Sequence, residues 1–281
     1  MGVFARTWAL MGASWRVLML DKELLLFPIL SLIATALVTA TFVLPLSQTR
    51  LWPFPGQAAS EFDDVLYSIT LFLFYVCSYF VVVFFNASLI AAVHLRLTGK
   101  DPTLMDGING AWARKNELFA WTLLAATVGL LLHSMKNRAK GWTSLLVGVA
   151  GVAWNLVTYF VVPILVIEGK GPVEAMKESA ATLKRTWGEE LVGGISYGGI
   201  SWLLSLPAIA IAVFGVGSIV HDALLNGLLL IGLALIYVFL LSLTMTTLSS
   251  IFHAAVYHYA RTGAIPLGFD AALLQSAFVK K

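Results

Sequence analysis

Residues 168–191 read EGKGPVEAMKESAATLKRTWGEEL, a charged, helix-forming stretch that lies between two long apolar runs. Pro172 suits the first turn of a helix, because a residue there needs no backbone N–H partner. After it, apolar side chains recur at spacings of three and four residues: Val173, Met176, Ala180, Leu183 and Trp187. That spacing places them on one helical face. The pattern is typical of an amphipathic helix that lies in a membrane interface.

The composition of the whole chain indicates the same surroundings. Its 281 residues are 59% hydrophobic and only 12% charged, with a mean hydropathy of +0.87. Soluble domains carry about 25% charged residues, because water requires a polar shell. We therefore predict a membrane protein that crosses the bilayer several times. The single cysteine, Cys77, cannot form a disulfide within the chain.

Six apolar stretches are long enough to cross a bilayer, which takes about 20 residues of helix. They cover roughly 24–46, 65–93, 117–134, 143–167, 191–214 and 228–258. The third is the shortest. The last is longer than a bilayer requires, so we expect its C-terminal end to project into water.

The basic residues predict the orientation. Fourteen of the 18 Lys and Arg residues fall in the four segments 1–23, 94–116, 168–190 and 259–281. Because cytoplasmic segments are enriched in Lys and Arg, these segments and both termini are predicted to lie inside. The basic residues therefore do not indicate a nucleic-acid partner. Lys136, Arg138 and Lys140 break the pattern, which leaves open a third span that turns back within the membrane.

The pattern of the opening stretch recurs along the chain. The N-terminus carries Phe4, Trp8, Met11, Trp15 and Leu18 at helical spacing, and the segments 103–114 and 267–278 resemble it more weakly. The odd-numbered spans begin with Glu-Leu, and the even-numbered spans end in G-x-x-P. We therefore predict pseudo-repeats over about 1–98, 99–168 and 169–262, followed by a C-terminal surface helix over 263–281. The expected fold is an all-α membrane protein with six transmembrane helices as three hairpins, each preceded by a cytoplasmic interfacial helix.

Polar residues recur at one depth of the even-numbered spans. Counted back from the glycine of each G-x-x-P, the following residues lie 13 or 14 positions earlier, or about 20 Å along a helix: Asn86, Asn155, Ser249 and Ser250. His253 extends this set along the last span. Two interpretations remain open: hydrogen bonds that join helices, or a polar pocket on a solute path.

Catalytic and metal sites have little support in the sequence. Residues 194–198, GISYG, match the G-x-S-x-G pattern around Ser196, but that pattern requires a strand-to-helix turn. Nothing places His253 or His258 beside Ser196, and the glycines are equally typical of close helix packing. The five histidines are scattered, and no phosphate-binding loop is present. We predict no catalytic residue, no metal and no cofactor.

Three motifs resemble those of a known family. The segment DKELLLFP at 21–28, the GKGP at 169–172 and the pair Trp187-Gly188 are similar to motifs of an uncharacterised family of bacterial and archaeal six-helix membrane proteins. The resemblance implies a prokaryotic inner-membrane location. It implies no activity.

Three functions are compatible with these patterns. The first is a non-enzymatic scaffold that binds anionic lipid headgroups or another membrane protein through one surface, formed by Lys177, Lys184, Arg185 and Trp187. The second is a transporter or channel for a small solute or lipid, with the polar residues of the even-numbered spans as its site. The third is an intramembrane enzyme at Ser196.

Overall fold

The computed structural model describes residues 3–47, 61–187 and 197–270, and these ranges contain helices and no strand. The helices are α1 (Val3–Leu20), a 3-10 turn (Lys22–Leu25), α2 (Leu26–Ser47), α3 (Glu61–Leu97), α4 (Leu104–Trp112), α5 (Lys115–Arg138), α6 (Trp142–Thr158), α7 (Val161–Pro163), a π-helical turn (Ile164–Glu168), α8 (Pro172–Trp187), α9 (Tyr197–Val220) and α10 (Leu224–Thr262). The chain divides into two compact units: residues 26–186, called the central unit here, and residues 1–25 with 187–281, called the terminal unit.

The described residues contain six helices long and apolar enough to cross a membrane: Lys22–Ser47, Val65–Leu97, Lys115–Arg138, Trp142–Glu168, Gly199–Val220 and Leu224–Thr262. The all-helical class is therefore confirmed for these residues, and so are six apolar helices of membrane-spanning length. The third span is longer than expected, since α5 is an unbroken helix of 24 residues. At about 1.5 Å per residue it extends some 36 Å, which is enough for a bilayer.

The buried residues of the central unit lie mainly at one end of its helices. In α3 they lie mainly in its C-terminal half, from Val83 to Leu97, and in α5 they lie in its first half, from Leu118 to Ala126. Residues 160–166 add Phe160, Val161, Ile164 and Leu165, all completely buried, whereas α6 has no buried residue. Helix α4 packs against α3 at this same end. The remaining parts of these helices expose many large apolar side chains.

The terminal unit has the same distribution. Helix α1 packs against α10, and the buried part of α10 runs largely from Met245 to Tyr257. Helix α9 packs along α10 but leaves Trp202, Val213 and Phe214 exposed. The two helices approach closely beside their short connection, where a Cβ on Gly227 would lie 2.6 Å from the carbonyl oxygen of Gly215.

The three G-x-x-P glycines share one backbone conformation. Gly99, Gly169 and Gly263 follow the ends of α3, the π-helical turn and α10, with φ of 83°, 69° and 69°. Positive φ ends a helix in a left-handed turn that favours glycine. The sequence pattern thus corresponds to a recurring local structure, while the three pseudo-repeats themselves stay a prediction.

The predicted C-terminal surface helix does not begin where expected. Residues 263–270 form a non-helical turn after Gly263. The reason is a second glycine in the left-handed conformation, Gly268, whose φ is 84°. Arg16 donates a hydrogen bond to the Gly268 carbonyl at 3.2 Å, which joins this turn to α1. The rest of the predicted helix lies outside the described residues.

Candidate functional site

The predicted intramembrane polar residues fall in both units, and each set is described within its own unit. In the central unit, Asn86 of α3 is half-buried. Asn155 lies near the middle of the fourth span, on an exposed face of α6. Whether Asn86 and Asn155 serve one polar site stays a prediction.

In the terminal unit, the predicted residues lie in the buried part of α10. Ser250 is buried, while Ser249 and His253 are half-buried. They are surrounded in sequence by the fully or nearly fully buried Leu248, Ile251 and Phe252. This stretch of α10 is therefore a packed helix surface in the terminal unit.

Helix α8 presents two different faces. Its buried face consists of small side chains at helical spacing, Ala175, Ser179 and Thr182, which are 0–3% exposed. The apolar residues predicted to face the membrane are accessible: Val173 is 57% exposed, and Met176, Ala180 and Leu183 are partly exposed. Lys177 and Lys184 are exposed. Arg185 and Trp187 belong to α8, but their side chains lie outside the described residues.

The fourth span is interrupted, which the sequence reasoning missed. Helix α6 ends at Thr158, and the chain resumes as α7 and the π-helical turn after a turn at Tyr159 and Phe160. Pro163 is the local cause, because its ring cannot donate a backbone hydrogen bond and clashes with the carbonyl four residues earlier. The backbone N–H of Phe160 donates instead to Ser179 Oγ of α8 at 3.0 Å. Pro163 inside an apolar run was the available signal.

An ion cluster lies where the fourth span meets α8. The Lys170 ammonium contacts Glu178 of α8 at 2.6 Å and Glu168 of the π-helical turn at 2.9 Å. Hydrogen bonds to Glu178 first, and then to Glu168, raise the pKa of Lys170 above its usual range. The cluster can hold the π-helical turn and α8 together, because an ion pair between partly buried side chains is weakly screened by salt.

Helix α4 begins with a complete capping box. The Thr103 hydroxyl accepts from the Asp106 N–H at 3.2 Å, and the Asp106 carboxylate accepts from the Thr103 N–H at 2.8 Å. Hydrogen bonds from the Thr103 side chain and backbone lower the pKa of the Asp106 carboxyl. These bonds fix the start of α4, whose Gly107 and Ala111 are buried.

The catalytic pattern cannot be placed, because Ser196 lies outside the described residues. Within the described residues, no group of three His, Cys, Asp or Glu side chains is arranged to hold a metal ion. The arrangements that these residues do show are the accessible surface of α8 and the junction at Phe160.

Comparison with known proteins gives one match. Residues 65–267, more than two thirds of the chain, match the model of a protein family described as a family of unknown function. The matched region includes Gly169 to Pro172 and α8, and it begins after the segment 21–28. No curated protein and no solved structure matches the chain.

Proposed function

The chain belongs to DUF6159, a family of unknown function, and on that premise we propose that it is a non-enzymatic membrane protein that binds anionic lipid headgroups through α8. In this proposal the six helices form three hairpins in a prokaryotic inner membrane, with both termini in the cytoplasm. The distribution of Lys and Arg supports the orientation. The common left-handed turn after three spans supports a repeated unit.

The arrangement of α8 is the observation on which the proposal rests. Its contact with the protein uses small side chains, so its apolar stripe is left accessible. Lys177 and Lys184 border that stripe on the side away from the buried face, as a helical projection shows. A helix whose buried face, apolar stripe and lysines follow one another around its axis can insert the stripe among acyl chains while the ammonium groups reach headgroup phosphates. Each basic residue near an anionic surface contributes about 1 kcal/mol.

Charge reversal at the two exposed lysines tests the proposal. We expect the melting temperature of the solubilised chain to rise with phosphatidylglycerol but not with phosphatidylcholine, because a ligand that binds the folded state stabilises it. The double variant Lys177→Glu, Lys184→Glu is expected to lose that rise. The double variant Lys136→Glu, Lys140→Glu changes the same charge at two exposed sites, one in the last turn of α5 and one just after it, and should keep the rise.

Two outcomes would count against lipid binding. One is an equal rise for both lipids, which would leave a protein partner as the ligand of this surface. The other is an equal loss in both double variants, which would mean that net charge alone sets the response.

Transport is a second candidate, and the interrupted fourth span favours it. Discontinuous membrane helices form the binding sites of many transporters, and π-helical turns are frequent at functional sites. If the chain moves a small solute, reconstituted vesicles should show flux that falls when Asn86 and Asn155 are replaced by Leu. Flux that is absent, or that ignores both changes, would reject this candidate.

A further inference from the structure

A residue of α8 completes the backbone hydrogen bonding of the interrupted span. Phe160 and Ser179 are both completely buried, and the bond between them joins positions 19 residues apart. We propose that α8 is a latch: while it is docked, the fourth span cannot bend at Tyr159 and Phe160, and when it leaves, α6 is able to pivot there.

The two sides of the interruption differ in how firmly they are held. On the N-terminal side of the interruption, α6 contains no buried residue. On its C-terminal side, Val161, Ile164 and Leu165 are completely buried, and residues 161–168 pack against α3. Pro163 prevents the continuous hydrogen bonding that would stiffen the junction. A helix without buried residues, which touches α5 through the stacked rings of Trp154 and Trp121, therefore joins a buried segment through a junction that lacks continuous hydrogen bonding. This is the geometry of a hinge.

The latch has a second contact at the far end of the fixed segment. Glu178 is adjacent to Ser179 on α8, and Glu168 is the last residue of the π-helical turn. Lys170 binds both carboxylates, and its side chain is 25% exposed, against 17% for Glu168 and 27% for Glu178. The hydroxyl of Ser179 and the ammonium of Lys170 thus attach α8 at the beginning and the end of residues 160–168.

This arrangement couples the outer surface of α8 to the span. A molecule that binds docked α8 and undocked α8 with different affinities will shift the equilibrium between the straight and the bent fourth span, and the size of the shift is set by the ratio of the two affinities. The latch uses Ser179 of the buried face and the partly exposed Glu178, and neither belongs to the exposed apolar stripe. It therefore does not depend on which ligand occupies the exposed stripe, and it stands or falls separately from the lipid proposal.

Hydrogen exchange in the full chain, reconstituted in lipid nanodiscs, tests the latch. Ser179→Ala leaves the buried Phe160 N–H without its acceptor, so we expect exchange in the peptide 156–168 to become about ten-fold faster. Ser88→Ala is the matched control. Ser88 is an equally buried serine of the same unit, but its hydroxyl donates to the Phe84 carbonyl of its own helix. It should leave exchange in 156–168 unchanged.

A milder variant covers the case in which Ser179→Ala does not fold. Lys170→Met removes the bridge at a partly exposed site, and we expect exchange in 156–168 to rise about three-fold, as loss of a modest ion pair predicts. Unchanged exchange in every folded variant overturns the latch. An equal rise in Ser88→Ala also overturns it, because the effect would then be a general loosening. Lipid stabilisation of the two lysine double variants is measured independently, so failure of one proposal does not decide the other.

Discussion

At the scale of single residues, small side chains determine how closely the surface helices approach the long ones. Helix α4 packs on α3 through glycine: a Cβ on Gly107 would lie 2.5 Å from Phe27 Cζ and 2.7 Å from the Ser88 carbonyl oxygen. A Cβ on Gly110 would lie 2.8 Å from the Cβ of Ala91. In membrane proteins, such small residues let backbones approach and gain dispersion contacts. Ala175, Ser179 and Thr182 on the buried face of α8 are small residues of the same kind.

Gly107→Ala is therefore expected to destabilise the protein by about 1–3 kcal/mol, because backbone and a buried ring must move to admit one methyl group. The comparison is Gly148→Ala in α6, where nothing lies within 4 Å of the added carbon. Alanine should be neutral there or should stabilise the helix by up to about 1 kcal/mol. Thermal unfolding followed by circular dichroism in detergent measures both. Equal shifts for the two variants would contradict the close contact.

Asp106 makes the start of α4 sensitive to pH. Its pKa is lowered by the hydrogen bonds from Thr103. The folded state thus binds the proton less tightly than the unfolded state, and the carboxylate contributes stability above the unfolded pKa of about 3.9. That contribution is lost as pH falls through the lower, folded value. We expect exchange of the first amides of α4, corrected for its intrinsic rate, to accelerate in this acid range.

Asp106→Asn supplies the control for this prediction, because the amide oxygen can still accept from the Thr103 N–H but does not titrate. The acid acceleration should disappear in this variant. If it persists, another group controls the start of α4.

At the scale of elements, the sequence predicts what depends on long apolar runs and misses what depends on distant contacts. The six spans were predictable because the thickness of the hydrocarbon sets their length. Pro163 was the sequence signal for the interruption, but the group that accepts from the Phe160 N–H is Ser179 in another helix, which the sequence does not indicate. The apolar stripe of α8 was visible, but the buried face was not, since Ala175, Ser179 and Thr182 carry little hydropathy signal. The grouping of Asn86 with Asn155 remains a prediction.

The two faces of α8 predict different effects on stability for the same substitution of alanine by leucine. Ala175→Leu adds a bulky side chain to the completely buried face, and we expect it to lower stability by about 1–3 kcal/mol. Ala181→Leu adds the same atoms at an exposed position of the same helix and should change stability by less than about 0.5 kcal/mol. Melting temperatures of the two purified variants make the comparison. A reversed order would mean that α8 docks through its other face.

At the scale of the whole molecule, both units concentrate their buried residues at one end of their long helices and leave the rest exposed and apolar. In each unit that end is where a shorter helix packs, α4 in one and α1 in the other. Large exposed apolar surfaces are unfavourable in water. In hydrocarbon they cost nothing, and the packed ends then lie where water begins. One end of each long helix therefore makes the contacts that determine the tertiary structure, and the rest of the helix faces lipid.

The packing of the central unit also predicts on which side of the membrane Lys136, Arg138 and Lys140 lie, the three basic residues that break the charge pattern. Helix α5 starts at Lys115, beside the packed end of the central unit, and runs unbroken for 24 residues, or about 36 Å. A helix of that length cannot turn back within the bilayer, so Lys140 should face the side opposite Lys100. With Cys77 replaced by Ala, Lys140→Cys is expected to react with a membrane-impermeant maleimide in intact cells. Lys100→Cys should react only after permeabilisation, and the reverse result would place both termini outside. Equal labelling of the two positions would instead require that α5 does not span the membrane, whatever its length.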